Sequence, residues 1–525
     1  MAELKNLIVS GNSRLIGDTN AAKVTATQFI KSGGTSSQFL KADGSVDGNT
    51  YALNSSLAWN KTQQGGAILA DSGTTASASG AIAYGEANIS DIIASGTGSQ
   101  AGGYSDEHGL IKAQGNGSRA MGVTQLEGHI IASGHASEAI GYVDSDISEI
   151  VASERGACAR GLAQDGHITA SGAGSQAEGY AYGGLMQASG YGSAARGCAV
   201  NEGGILSSGA GSFANGYSTS QGAIQATQQG AFASGYTNNA TITASNKGAF
   251  ATGYSDGDNS ITASGLGSIA HGYTDGGSGN IKATGKGSHA EGTSTTAIGD
   301  YSHAEGDSTV AYGTGSKSEG TRTSSITISG VSGSGTSYTS SNANKLYKGA
   351  LLNSGLTYAR VVSISGNSFT VNNTLGSMSS DYVLMIRGCA SGVYSHSEGS
   401  GSAYGDFSHA EGSETIASEI GSHAEGVGTI AQNLAEHAEG RYNKSNKVST
   451  AWDDTGNTLH SIGIGTGPSA RVNAVEVMQN GDVYIKGIGG YNGTNPGASG
   501  VKSVQTVISE LTTALSSLEQ VLASI

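Results

Sequence analysis

Ser408-His409-Ala410-Glu411-Gly412 returns 14 residues later as Ser422-His423-Ala424-Glu425-Gly426. Upstream the same pattern reads Ser288-His289-Ala290-Glu291-Gly292 and Ser302-His303-Ala304-Glu305-Gly306. Looser copies begin earlier, as Ser99-Gln100-Ala101-Gly102-Gly103, Ser118-Arg119-Ala120-Met121-Gly122 and Ser175-Gln176-Ala177-Glu178-Gly179. Counting variants with Ala or Glu in place of the Ser, or Ser in place of the Ala, the form Ser-x-Ala-x-Gly occurs at least sixteen times between residues 81 and 440. Repetition at a short fixed period marks a solenoid, in which one repeat buries its apolar face only by stacking on the next. The pattern predicts a rigid rod and argues against a compact enzyme.

The spacing divides the rod. The residue at the Ser position falls at 81, 99, 118, 137, 157, 175, 193, 212, 231, 249, 268 and 288, in steps of 18 to 20. From 288 the step is 14, through Ser302 and Ser316, and the anchors resume at Ser395, Ser408, Ser422 and Glu436, in steps of 13, 14 and 14. These periods are too short for paired helices, and Gly and Ser are poor helix formers. Short strands fit, with Ser288, Ala290 and Gly292 on one face and His289 and Glu291 on the other. A second strand per coil reads Ile168-Thr169-Ala170-Ser171 or Ile261-Thr262-Ala263-Ser264, with apolar and polar residues alternating. The longer coils add turn formers such as Tyr254-Ser255-Asp256-Gly257-Asp258, and a wider roll is expected there. Eighteen coils about 4.8 Å apart predict a rod of roughly 85 Å.

Gly makes up 86 of 525 residues and Pro only 2, which excludes collagen and Pro-rich disorder. A core of Ala, Ser and Gly buries little apolar area, so oligomerisation is expected. The net charge of −15 opposes a nucleic-acid partner. Cys158, Cys198 and Cys389 show no metal or disulfide spacing. No apolar run has the length of a membrane span, and no signal-peptide core follows Met1. At the C-terminus Val501, Val504, Ile508, Leu511, Leu515, Leu518, Leu522 and Ile525 alternate spacings of 3 and 4. That is a heptad seam, and it predicts a coiled coil of two or three strands joined through Val504, Ile508, Leu511, Leu515, Leu518 and Leu522.

The 14-residue repeats at roughly 286–320 and 390–440 resemble the heads of trimeric autotransporter adhesins, the left-handed parallel β-roll often called YadA-like. Ser-His-Ala-Glu-Gly is similar to repeats of bacteriophage fibre proteins, tail or head. So is the run from Phe29-Ile30-Lys31-Ser32-Gly33-Gly34 to Leu40-Lys41-Ala42-Asp43-Gly44. The stretch from Gly463-Ile464-Gly465 to Asp482-Val483-Tyr484-Ile485 resembles a collar-like unit of such fibres, and Asn480-Gly481 is itself a hairpin signal. The resemblance implies a homotrimer. An autotransporter adhesin would need an export signal and a barrel anchor, neither of which is seen, so the phage fibre is preferred over a secreted bacterial adhesin. A virion-borne polysaccharide depolymerase would need clustered carboxylates, whereas these are scattered over bulges.

His-Ala-Glu invites a chemical reading. His-x-Glu opens the zinc deaminase signature, but the partner Pro-Cys-x-x-Cys is missing. An active site is also not repeated on every coil. The expectation is a stacked structural ladder of His289, Glu291, His303, Glu305, His409, Glu411, His423 and Glu425, with no cofactor and no metal. An ion on the trimer axis is the sharper alternative. A second ladder, Tyr104, Tyr142, Tyr180, Tyr217, Tyr236, Tyr254 and Tyr273, is read as stacking, with sugar binding as its alternative. Phe213, Phe232, Phe250, Met121 and Ile140 are expected to face a neighbouring chain.

The expected fold is all-β: a trimeric parallel β-roll or β-solenoid rod with an inserted small β domain, a C-terminal β hairpin and a short coiled coil. Residues 1–60 attach to the virion, through capsid, tail or fibre adaptor. Residues 61–320 and 389–440 are solenoid, and 321–388 are the insert. Residues 441–486 are collar-like, 487–500 a Gly-rich linker and 501–525 the coiled coil. Tyr338, Tyr347, Tyr358 and Arg360 of the insert are candidate contacts to a host surface glycan or protein, because loops on a rigid scaffold carry binding. The expectation is a non-enzymatic virion fibre assembled in the bacterial host cytoplasm, with no nucleic acid bound and no membrane insertion.

Overall fold

The computed structural model describes residues 73–525 apart from 278, 322–324, 356, 448, 450–453 and 455. Before residue 73 it describes only the strands Phe39–Leu40, Val46–Asp47, Trp59–Lys61 and Ala67–Leu69. The chain divides into Met1–Leu57 and Ala58–Ile525. In the first unit Phe39–Leu40 pairs antiparallel with Val46–Asp47, and the rest of the expected attachment region before Trp59 lies outside the described residues.

The second unit is a β-solenoid of about 20 turns. Each coil gives one strand to each of two parallel sheets. In the first sheet, Ile82–Asn88 lies on Gln100–Asp106, which lies on Arg119–Thr124, and so on to His437–Arg441 and Thr458–Ile464. In the second, Thr74–Ala76 lies on Asp91–Ala94 and the stack continues to Ile430–Ala431. The register repeats residue for residue: Ala83 on Ala101, Ala101 on Ala120, Ala120 on Ala139. The one- or two-residue differences between long coils are absorbed in turns. Both sheets pass without a break from long coils to short ones, where Ala270 lies on Ala290 and Ala290 on Ala304. Long coils carry strands such as Phe232–Asn238 and Thr241–Ala244, and short ones carry His303–Asp307 and Val310–Ala311.

Each letter of the repeat has a physical reason. The Ser hydroxyl is buried and closes the preceding turn, as when Ser408 Oγ donates to the Gly405 carbonyl and Ser302 Oγ to that of Gly299, both at 2.7 Å. The Ala side chains, from Ala83 to Ala438, are fully buried in an interior too narrow for more. The Gly sits in extended backbone with positive φ, +143° at Gly235. A Cβ there would lie 1.9 Å from the carbonyl oxygen of Gly253 in the next coil and 2.9 Å from Ile242 Cδ1. The second-sheet isoleucines, Ile92 through Ile281, are fully buried, and they occupy the space that these glycines leave. Turn glycines differ. Gly230 has φ +64° with nothing within 4 Å of its Cβ position, so it is needed for conformation alone.

Residues 326–386 leave the stack as six antiparallel strands, in the order Ile326–Ser334, Ser337–Thr339, Ser368–Val371, Tyr358–Ser365, Leu351–Asn353, Met378–Ile386, with the last pairing back to the first. Lys317–Thr321 before them pairs directly with His396–Gly399 after them, and Val310–Ala311 with Cys389–Ala390. Their core, including Ile328, Leu352, Phe369 and Met385, is continuous with Val310, Tyr404 and Ile416 of the coils. At the far end Thr458–Ile464 turns antiparallel to Asn473–Met478, which forms a hairpin with Val483–Ile485 around Asn480-Gly481. The helix Val504–Ser524 is capped by Ser503, whose side chain accepts the Thr506 N–H. None of its residues is buried, and the seam residues Ile508, Leu511, Leu515, Leu518 and Leu522 are 57 to 68% exposed.

The two glycine classes separate experimentally. Gly235→Ala should cost about 4 kcal/mol or prevent folding, from backbone strain plus overlap with the next coil. Gly230→Ala, with free space, should cost about 1 kcal/mol. Thermal unfolding of the two variants checks this, and equal losses would mean that close stacking is not what selects glycine.

Candidate functional site

The outward residue between Ser and Ala changes along the first sheet, and the register turns each change into a ladder. Phe213, Phe232 and Phe250 stack with ring centres 5.3 and 4.7 Å apart. After Ile269 come His289 and His303, 4.7 Å apart. Lys317 interrupts, and then His396, His409, His423, His437 and His460 stack at 4.7 to 5.0 Å. Two residues on, the carboxylates align: Glu291 on Glu305, Glu398 on Glu411, Glu411 on Glu425.

His and Glu side chains approach one another within coils and between them, without the hydrogen bonds of a bonded ladder. His289 Nε2 lies 3.5 Å from Glu291, and His303 Nε2 lies 3.8 Å from Glu305. His437 Nε2 is 3.6 Å from Glu425 of the preceding coil, and His460 Nε2 is 3.3 Å from Glu439. These are long for hydrogen bonds. The Nε2 atoms of His303, His396, His409, His423, His437 and His460 are shielded from solvent and make no hydrogen bond among the described residues. Burial, and then the neighbouring imidazole, push the pKa of His289, His409 and His423 below its usual value. For His396 the second cause is Lys317.

The tyrosine ladder is real over four coils and broken elsewhere. Tyr217, Tyr236, Tyr254 and Tyr273 stack at 5.5, 4.9 and 5.0 Å. Earlier, Val123, Leu162 and Cys198 stand in the tyrosine column. There Tyr104 bonds Asp106, Tyr142 bonds Gln125, and Tyr180 packs on Tyr182 of its own strand.

The four insert residues separate. Tyr338 is buried, which removes it as a surface contact. Its hydroxyl faces the Gly335 and Gly376 carbonyls, both at 2.8 Å, and accepts the Leu375 N–H at 2.9 Å. Tyr347 is half-buried, its ring centre 6.3 Å from that of Tyr404. Arg360 is committed internally, donating to the Tyr404 carbonyl at 2.6 Å and pairing with Asp406 at 2.8 Å. Tyr358 lines an open cleft of about 880 Å³, opposite Asp275, Asn280, Lys282 and Asp307 of the solenoid edge, and Arg360 lines a smaller one of about 200 Å³ with Lys348 and Glu419. Sequence reasoning missed Tyr301, Tyr394 and Phe407, exposed aromatics at positive φ where most coils carry the turn glycine. An aromatic residue in that glycine column was the available signal. Tyr394 and Phe407 stack at 5.7 Å.

Glu436 takes the Ser position of the last full coil and is fully buried on the side opposite the histidines. Its Oε2 accepts the N–H groups of Gln432 and Asn433, the Asn433 amide and the Ser445 hydroxyl, all at 2.8 to 2.9 Å. Its Oε1 has no partner among the described residues. Burial outweighs those bonds and pushes the pKa up to about 8. The folded carboxyl therefore holds its proton more tightly than an unfolded one. Its stabilising contribution is full below about pH 4.5 and is lost as pH rises through about 8. Glu436→Gln should leave stability at acid pH nearly unchanged and raise it above wild type at alkaline pH. The expected gain is a few kcal/mol, at about 1.4 kcal/mol per pKa unit. Thermal unfolding of both proteins across that range checks it, and a pH-independent difference would contradict it.

A comparison of the sequence with protein-family models gives no match, and a comparison with curated proteins gives none either.

Proposed function

We propose that this chain is a structural fibre of a bacteriophage virion, a homotrimer that projects from the particle and mediates attachment to the host surface. The observation that carries the reading is the unbroken, residue-for-residue stacking of the coils into a solenoid of about 20 turns. At about 4.8 Å per coil that is a rod of roughly 95 Å. Such an object reaches and holds, and its outward side chains repeat where an active site would be unique. Its resemblance to phage fibre repeats points the same way.

Two features support association of copies of this chain, and the resemblance to trimeric fibres sets their number at three. From Ile508 onward the seam of Val504–Ser524 is exposed, which an isolated helix in water does not sustain. The Phe213, Phe232 and Phe250 column and Ile269 add an apolar stripe on the outward face of the first sheet. In this reading the helix is a short coiled coil, residues 321–388 are an inserted small β domain, and the N-terminal region joins a virion protein. Attachment falls to the polar cleft at Tyr358 and to the exposed pair Tyr394 and Phe407, whose rings suit stacking on a sugar face. The fibre has no catalytic role, and it is assembled in the host cytoplasm and resides on the virion.

Light scattering of the purified protein should give the mass of three chains, and Leu515→Asp with Leu518→Asp should weaken the assembly. A stable wild-type monomer would refute the trimer. Replacing residues 322–388 by a short Gly-Ser bridge should leave a folded rod, because the flanking coils already pair. That variant should show weakened adsorption to host cells, because it loses Tyr358 and keeps Tyr394 and Phe407. Undiminished adsorption would remove the segment from recognition and leave it to Tyr394 and Phe407, to the tyrosine ladder or to another virion protein.

A further inference from the structure

The histidine and glutamate columns leave a chemical question that stacking does not answer. A stack of rings explains the 4.7 Å spacing. It does not explain why His289 Nε2 stands 3.5 Å from Glu291, or why the shielded and unbonded Nε2 of His437 stands 3.6 Å from Glu425. That separation is too long for a strong hydrogen bond. It is close to the edge of a tetrahedron around a metal ion with bonds of 2.0 to 2.1 Å, which is about 3.4 Å. In four places two imidazoles of successive coils and a carboxylate bring one ligand atom each to within 4.8 Å of one another. These groups are His289, Glu291, His303; His396, Glu398, His409; His409, Glu411, His423; and His423, Glu425, His437.

We propose that this ladder binds divalent transition-metal ions, Zn²⁺ above all, each held by two stacked imidazoles and one carboxylate of a single chain. Neutral imidazole and carboxylate are the ligands such an ion takes, whereas Ca²⁺ and Mg²⁺ demand oxygen sets that the column lacks. The site differs from an ion on a trimer axis in being complete within one protomer, with a fourth position left open. Lys317, standing in the histidine column, divides the ladder into two blocks.

The register also sets the stoichiometry. His409 and His423 each belong to two overlapping groups, so the middle group is not filled together with either neighbour. The second block therefore holds two ions, through Glu398 and Glu425, and the first block holds one through Glu291. Glu411 is spare. The prediction is three ions per chain at saturation.

The test uses the full-length protein, stripped with chelator, equilibrated with Zn²⁺, freed of excess ion and assayed for metal by mass spectrometry. Wild type should retain three Zn²⁺ per chain, Glu425→Gln two, His409→Gln with His423→Gln one, and Glu411→Gln three. Ca²⁺ in place of Zn²⁺ should not be retained. Loading with Co²⁺ should give the visible absorption of a tetrahedral nitrogen and oxygen site, reduced in the double histidine variant. The Glu→Gln variants keep side-chain shape, so the comparison stands even if the double variant folds poorly. No retained Zn²⁺ would overturn the proposal. Equal retention by wild type and Glu425→Gln, or equal losses in Glu411→Gln and Glu425→Gln, would overturn it as well.

Discussion

The contact on which this molecule depends is a backbone carbonyl of one coil set against the α-carbon of a glycine in the coil before it. At Gly235, Gly253 and Gly272 the space for a Cβ is taken by the next coil's oxygen at about 2 Å. Coils therefore approach as neighbouring strands of a sheet do, and nothing larger than hydrogen fits between them. The second-sheet isoleucines then reach across a thin interior, where Ile242 and Ile261 meet the glycines of the first sheet. Alanine fills what remains. The core is apolar but shallow, and its cohesion is repeated along the axis instead of concentrated at a centre.

Exact translational register has a consequence for the surface. Whatever residue stands outside on one coil stands beside its equivalent on the next, at 4.7 to 5.5 Å. Aromatic rings gain from that arrangement. Imidazoles tolerate it while neutral, and their partial burial together with their neighbours favours the neutral form. The carboxylate column beside them offsets part of the charge problem without closing strong hydrogen bonds. A ladder of like groups is thus both a product of the fold and a linear array of ligands.

The segment between the two blocks of short coils is tied into the stack. Its apolar core runs into Tyr404 and Ile416, while Arg360 and the Ser391 hydroxyl fasten it by hydrogen bonds to solenoid and insert carbonyls. Lys317–Thr321 and His396–Gly399 remain paired beneath it. Loops presented from such a base keep their geometry. The cleft at Tyr358 lies where this segment meets the solenoid edge.

The repeat, its two periods, the inward Ala, the hairpin at Asn480-Gly481 and the terminal heptads were legible in the sequence because each is a local pattern with one geometric meaning. Periodicity alone told that His289 and Glu291 share a face opposite Ala290. Other properties were decided by tertiary structure. Tyr338 and Tyr358 both alternate within short strands, yet one is buried under three polar partners and the other lines a cleft. Alternation names two faces but does not say which is covered. Glu436 stands in the Ser column as an apparent substitution. Its burial and raised pKa arise from Ser445 and Asn433, brought over it when the chain folds past the last coil. The distances from Nε2 to carboxylate, too long for strong hydrogen bonds, likewise come from how adjacent coils settle, which no residue pattern encodes.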